Sequence, residues 1–226
     1  MRVSVWDGLI CVVMLWLAGC GGNSSTVPFG GYGEDYRQIK FKDSVQSQDV
    51  SDQNVGEFVF TDINGDETSL QEYRGKKNVV LVVTRGYAGS VCLYCATQTS
   101  RLLTSYSQFA KRDTEVVVVF PIETSEDSRR HRDFVVMVKN KLDTPIEKIP
   151  FPIVLDVQLK VVDQLGIRKD LSKPATYILD KEGQLRFAYV GESLADRPSV
   201  KALLEQLDLL NREAASATEA VGRKKR

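Results

Sequence analysis

Apolar and polar positions sort this chain into blocks of two different periods. Residues 78–84 and 114–120 are nearly unbroken β-branched runs, the pattern of strands buried on both faces. Elsewhere the spacing turns helical. Leu102, Leu103, Tyr106 and Phe109 give an apolar stripe to a helix predicted over 96–110. A second helix is predicted over 125–142, capped by Ser125, with acids in its first turn and an inner stripe of Phe134, Val135, Val138 and Leu142. Shorter signals place a strand at 57–60, a turn at 62–66, a helical turn from Thr68 to about Gly75, a strand at 151–156 and a short helix at 157–165 stopped by Gly166. Residues 175–180 and 184–190 read as a hairpin around Lys181, Glu182 and Gly183. A closing helix follows over 197–210, with Val200, Leu203, Leu204, Leu207 and Leu210 facing in. Alternating strands and helices, then a hairpin and a helix, predict an α/β sandwich around a mixed sheet.

The ends carry no such pattern. Arg2 precedes an apolar run at 9–17, which is too short for a bilayer span of roughly 20 residues. Leu17-Ala18-Gly19-Cys20 then resembles a bacterial lipobox. The expectation is a signal peptide at 1–19 and a lipidated Cys20. A flexible tether rich in Gly, Ser, Asp and Gln is expected over 20–54. The folded domain is placed at 55–212 and a polar, basic tail at 213–226. This organisation predicts a cell-envelope protein held to a membrane by its lipid and facing the periplasm or the exterior.

Composition narrows the chemistry. Lys and Arg number 30, Asp and Glu 30, so the formal net charge is zero and nothing points to nucleic acid. Of four cysteines, Cys11 would leave with the signal and Cys20 would carry lipid, which leaves Cys92 and Cys95 as thiols. The one histidine, His131, lies on a charged stretch, and a structural zinc site needs about four ligands. No cofactor is expected. The pair Cys92-Leu93-Tyr94-Cys95 falls after the 78–84 strand and a Gly-bearing loop at 85–91, where a helix begins. Backbone N–H groups and the helix dipole stabilise a thiolate there. One thiolate can attack a disulfide or a peroxide, and the second thiol can then close an internal bond.

A family resemblance rests on ordered features. Phe58 to Asp62, Leu70 to Lys76 with its Tyr73-Arg74-Gly75-Lys76, the strand, the C-x-x-C, and Lys173-Pro174-Ala175-Thr176 leading into the hairpin are similar to the alkyl hydroperoxide reductase/thiol-specific antioxidant (redoxin) branch of the thioredoxin fold. The resemblance covers about 56–210. It implies a thioredoxin-like domain, a central mixed sheet flanked by helices, that reduces peroxides or protein disulfides. It implies Cys92 as attacking cysteine, Cys95 as resolving cysteine and Pro174 as a cis proline beside the dithiol. An external electron donor, thioredoxin-like or a membrane reductase, is implied too.

The chain departs from the pattern. Val91 and Leu93 stand where thioredoxin-type sites carry Trp and Pro, and Gly89 and Arg85 stand at the Thr and Pro positions of typical peroxiredoxins. Arg85 or Thr84 is the candidate substitute donor for a peroxide. Glu123 reads either as a proton-handling acid or as a helix N-terminal acid. Tyr94 either contacts substrate or covers the helix start. The competing functional class is a non-catalytic module, binding copper(I) through the two thiolates or serving as a redox-inert scaffold.

Overall fold

The computed structural model describes residues 36–49, 55–62 and 66–224. The chain divides into two units, 1–31, which lies outside the described residues, and 32–226. The expected signal peptide, Cys20 and the first part of the tether also fall outside them. Strands are β1 (Val59–Thr61), β2 (Glu67–Ser69), β3 (Asn78–Val83), β4 (Thr114–Ile122), β5 (Ile153–Val157), β6 (Arg168–Lys169), β7 (Leu171–Ser172), β8 (Ala175–Leu179) and β9 (Leu185–Val190). Helices are α1 (Leu93–Thr104), α2 (Tyr106–Ala110), α3 (Arg130–Lys139), α4 (Lys160–Gln164) and α5 (Val200–Lys224).

The two β-branched runs form the middle of a seven-stranded sheet ordered β2-β1-β5-β4-β3-β8-β9. β3 and β5 run parallel to β4, while β8 lies antiparallel between β3 and β9, so the sheet is mixed as predicted. Every residue of β3 and β4 is buried, because helices cover both faces. Val80, Val82, Val116 and Val118 pack with Leu102, Phe134, Val138, Leu203 and Leu207 on one face. Val79, Leu81, Val83, Val117 and Val119 pack with Val161, Val162, Leu165 and Tyr177 on the other. Each such aliphatic side chain contributes about 1.5–3 kcal/mol of burial.

Local chemistry moved several boundaries. The helix expected at 96–110 starts at Leu93, because Cys92 caps it, and breaks at Ser105 into α1 and α2. The helix expected from Ser125 is a 3-10 turn over Ser125–Arg129 followed by α3, with Thr124 at the cap position. α4 begins late, since Gln158 and Leu159 have positive φ, and Asp156 accepts the N–H groups of Val161 and Val162 at 3.0 and 2.9 Å. α5 continues to Lys224, through the stretch expected as a polar tail.

Residues 36–49 correct the expectation of a free tether over 20–54. Ile39 is buried, and Arg101 donates to its carbonyl at 2.5 Å while stacking 4.9 Å over Phe41. Gln48 N–H donates to Ala188 O, and the Gln48 side chain accepts from Val190 N–H, both at 2.8 Å. This segment satisfies the exposed edge of β9, which would otherwise present unpaired backbone groups.

Candidate active site

The approach to the dithiol is fixed by a tight loop over 85–91. Gly86 has φ +84°, and a Cβ there would lie 2.2 Å from the Pro121 carbonyl oxygen, so only glycine lets the loop cross the end of β4. Tyr87 pairs with Val91 across the loop, and the Arg130 guanidinium stacks 4.8 Å from the Tyr87 ring. Cys92 then takes an extended conformation as the N-cap of α1. Its Sγ accepts the Cys95 N–H at 3.3 Å, doing what a Ser or Asp oxygen does at an ordinary cap.

Both cysteines are thiols. Cys92 is 6% exposed and Cys95 1%. Cys95 Sγ accepts two further hydrogen bonds, from the Arg85 backbone N–H at 3.4 Å and from Arg197 Nη2 at 3.2 Å. Burial pushes the Cys95 thiol up, but the Cys92 thiol, the Arg197 guanidinium and the Arg85 N–H outweigh burial and hold it below the ordinary range. Hydrogen bonding to Cys95, and then burial, drive Cys92 the other way. In the reduced pair the surroundings therefore favour the negative charge at Cys95 over Cys92. The helix start contributes the Cys95 N–H to Cys92, while what favours a thiolate at Cys95 is the Cys92 thiol, Arg197 and the loop N–H of Arg85.

The other expected site residues are placed as follows. The Lys173–Pro174 peptide bond is trans, which corrects the expected cis proline. Pro174 O accepts from Gly191 N–H at 2.8 Å, which ties its carbonyl to the end of the hairpin. Pro174 and Arg85 line one cavity of about 250 Å³ together with Asp170, Ser172, Lys173 and Leu194. The Arg85 guanidinium lies 3.4 Å from Asp170, so what this residue brings to a sulfur is its backbone N–H, not its charge. Thr84 spends its hydroxyl on Val119 O at 3.0 Å. Glu123 is exposed and close enough to Arg168 to act on its charge. Tyr94 is half-buried and packs against the core beside the dithiol.

His131 lies between Arg130 and Arg132, yet its ring does not face solvent. It is buried edge-on against Phe120, with Nε2 3.2 Å from Ile153 O, because the inward face of α3 carries it into the core. Among the described residues no three His, Cys, Asp or Glu side chains gather as a metal site.

The residues that sequence reading missed are Arg197 and Gln98. Arg197 is 1% exposed and donates to Leu194 O at 2.7 Å, to Gln98 Oε1 at 2.6 Å and to Cys95. Its backbone is clamped from outside, since Lys42 N–H donates to Arg197 O and Ser199 N–H to Lys42 O, both at 2.8 Å. One signal was available: an arginine just before a helix stands against the helix dipole, a placement that needs a reason.

Comparison with known proteins identifies the family and the fold. The model of the AhpC/TSA family matches residues 52–188. No curated protein matches the chain significantly. Among solved structures, the mitochondrial 2-Cys peroxiredoxin of Plasmodium falciparum is 18% identical, covering 71% of this chain and 93% of its own, with a TM-score of 0.55. A cysteine-to-serine mutant of peroxiredoxin 6 of Arenicola marina is 17% identical, covering 76% of each chain, with a TM-score of 0.58. Peroxidoxin BcpB of Mycobacterium tuberculosis is 19% identical over 67% of this chain and 92% of its own, with a TM-score of 0.52. At these identities the likeness shows the fold, which is thioredoxin-like.

Proposed function

The chain belongs to the AhpC/TSA family, and from that premise we propose that it is a thiol-based oxidoreductase. Cys92 and Cys95 cycle between dithiol and disulfide and reduce a peroxide or a protein disulfide. The observation that carries this reading is the pairing of a capping Cys92 thiol with a Cys95 sulfur that receives both a guanidinium and a backbone N–H. Such a pair has one sulfur ready to lose its proton to the other. Cys92, the more exposed of the two, attacks the substrate sulfur or oxygen. Cys95 then attacks Cys92 and closes the internal disulfide, releasing thiol or water. An external donor, thioredoxin-like or a membrane reductase, returns the two electrons. The lipobox-like segment ending at Cys20 supports a cell-envelope protein tethered by lipid.

The test uses the full chain in mild detergent with Cys11→Ser and Cys20→Ser, so that only the two site thiols are counted. Its thiol loss is timed with hydrogen peroxide and, separately, with a protein disulfide. Rapid loss of two thiols with either oxidant, abolished by Cys92→Ser, is the expected outcome, and the faster oxidant identifies the substrate class. Unchanged thiol loss in Cys92→Ser would contradict the reading.

A further inference from the structure

Arg197 has an unusual set of partners for a buried cation. Its side chain is sealed from water, and a guanidinium keeps its charge when buried. Buried charges are stable only when paired. Yet among the described residues its hydrogen bonds run to a neutral carbonyl, a neutral amide oxygen and one sulfur, with no carboxylate. The nearby acid, Asp196, is taken by Lys42 at 2.8 Å and by the Tyr189 hydroxyl at 2.6 Å. Of these three partners, the one that can carry a negative charge is Cys95.

We propose that Arg197 is the fixed counter-ion of a Cys95 thiolate, which makes the second cysteine the base and then the nucleophile of the catalytic cycle. This rests on the oxidoreductase reading and assigns the chemistry within it. In the first step the Cys95 thiolate takes the proton of Cys92. The Cys92 sulfur attacks one sulfur of a substrate disulfide, the substrate S–S bond breaks, and the leaving thiolate receives that proton from Cys95. Cys95, a thiolate again beside Arg197, attacks Cys92 Sγ. The Cys92–substrate bond breaks, the second substrate thiolate leaves and is protonated by solvent, and the pair has lost two electrons to the substrate. With a peroxide, the Cys92 sulfur attacks one oxygen, the O–O bond breaks and the leaving alkoxide or hydroxide takes the proton from Cys95. The Cys95 thiolate then attacks the Cys92 sulfenic acid, the S–O bond breaks, and the hydroxide leaves as water with a proton from solvent.

A second consequence concerns redox poise. When the internal disulfide forms, Cys95 loses its charge and Arg197 is left buried without an anion. Arg197 therefore favours the dithiol over the disulfide. Removing it stabilises the oxidised pair relative to the reduced one and makes the couple more reducing.

The experiment follows thiolate absorbance in the near ultraviolet against pH in the full chain carrying Cys11→Ser, Cys20→Ser and Cys92→Ser, so that Cys95 is the single thiol and a hydroxyl still stands where the Cys92 thiol donated. With Arg197 in place, the midpoint is expected below the free-cysteine value of about 8.5. Arg197→Gln is expected to raise it by at least one pH unit, and Arg197→Lys to recover part of the loss. With Cys92 restored, Arg197→Gln is expected to shift the equilibrium with a reference dithiol at least tenfold toward the protein disulfide. It should also make an intermediate with substrate bound to Cys92 accumulate at neutral pH and disappear at alkaline pH. A midpoint at or above 8.5 with Arg197 present overturns the proposal, and this reading holds even where the Arg197 variants do not fold. A low midpoint in a chain that turns over neither peroxide nor disulfide would sustain the ion pair and reject the oxidoreductase reading. Rapid turnover with an ordinary midpoint would do the reverse.

Discussion

The two faces of the sheet are built on different terms. On the face covered by α4, Val161, Val162, Leu165 and Ile167 pack with Val79, Leu81, Val117 and Val119, and Tyr177 is buried among them. Its buried acid, Asp156, is met by helix N–H groups. The face covered by α1, α3 and α5 carries an apolar core of similar make-up and, besides it, a buried run of Thr97, Gln98, Thr99 and Ser100 on α1, with Arg197 and His131. Gln98 Nε2, Thr99 Oγ1 and His131 Nδ1 have no hydrogen-bond partner there. Polar groups left unmatched inside a protein cost stability. Among the described residues the first face leaves one such atom, the Tyr177 hydroxyl, whereas the second leaves several and gathers them on the side of the dithiol.

Truncating each face separates these roles most strongly. Phe134 stacks on Phe120 at 4.9 Å on the dithiol side. Phe134→Ala should cost about 4 kcal/mol and also slow thiol turnover, since α3 packs on α1. Leu165→Ala should cost about 3 kcal/mol and leave the turnover of the remaining folded protein unchanged. Urea unfolding paired with thiol-loss rates checks both, and equal activity losses would erase the distinction.

A smaller effect is expected from the loop that joins the faces. Gly86→Ala forces a side chain against the Pro121 carbonyl at positive φ. The expected cost is about 2–3 kcal/mol, read as a lowered urea midpoint. The loop also sets the Arg85 N–H on Cys95, so the variant's thiolate titration should move upward. A stable variant with an unmoved titration would show that the loop does not hold the site.

The smallest effect is acid sensitivity. Burial depresses the His131 value, with the bond to Ile153 O opposing it. The unfolded chain then takes up a proton before the folded one as pH falls below about 6.5, so the stability held by neutral His131 is lost on acidification. His131→Leu should flatten the fall in melting temperature between pH 7 and pH 5. An unchanged slope would place the acid sensitivity elsewhere.

What the sequence revealed follows the same division. β3, β4 and the inward positions of α5 were legible because burial on a regular element leaves a periodic mark, and the C-x-x-C was legible because its spacing is local. β2 and the β6–β7 pair were missed, since strands of two or three residues have no period to read. The docking of 36–49 was missed because it is held largely by backbone hydrogen bonds and charged side chains, with few apolar positions to betray it. Arg197 meets Cys95 across 102 positions of chain, and nothing but the fold brings them together. The Thr and Pro positions expected of a peroxide pocket, held here by Gly89 and Arg85, gave no hint that the charge near the sulfurs would come from the segment before the last helix.

The central claim is that Cys92 and Cys95 form one reversible couple, and mapping the oxidised product tests it most directly. The reduced full chain, with Cys11→Ser and Cys20→Ser, would be treated with one equivalent of oxidant, digested and mapped by mass spectrometry before and after a dithiol reductant. The account predicts a disulfide between Cys92 and Cys95 within one chain, two thiols lost per molecule, and both recovered on reduction. A disulfide between chains, or irreversible oxidation of Cys92 with Cys95 still a thiol, would contradict it.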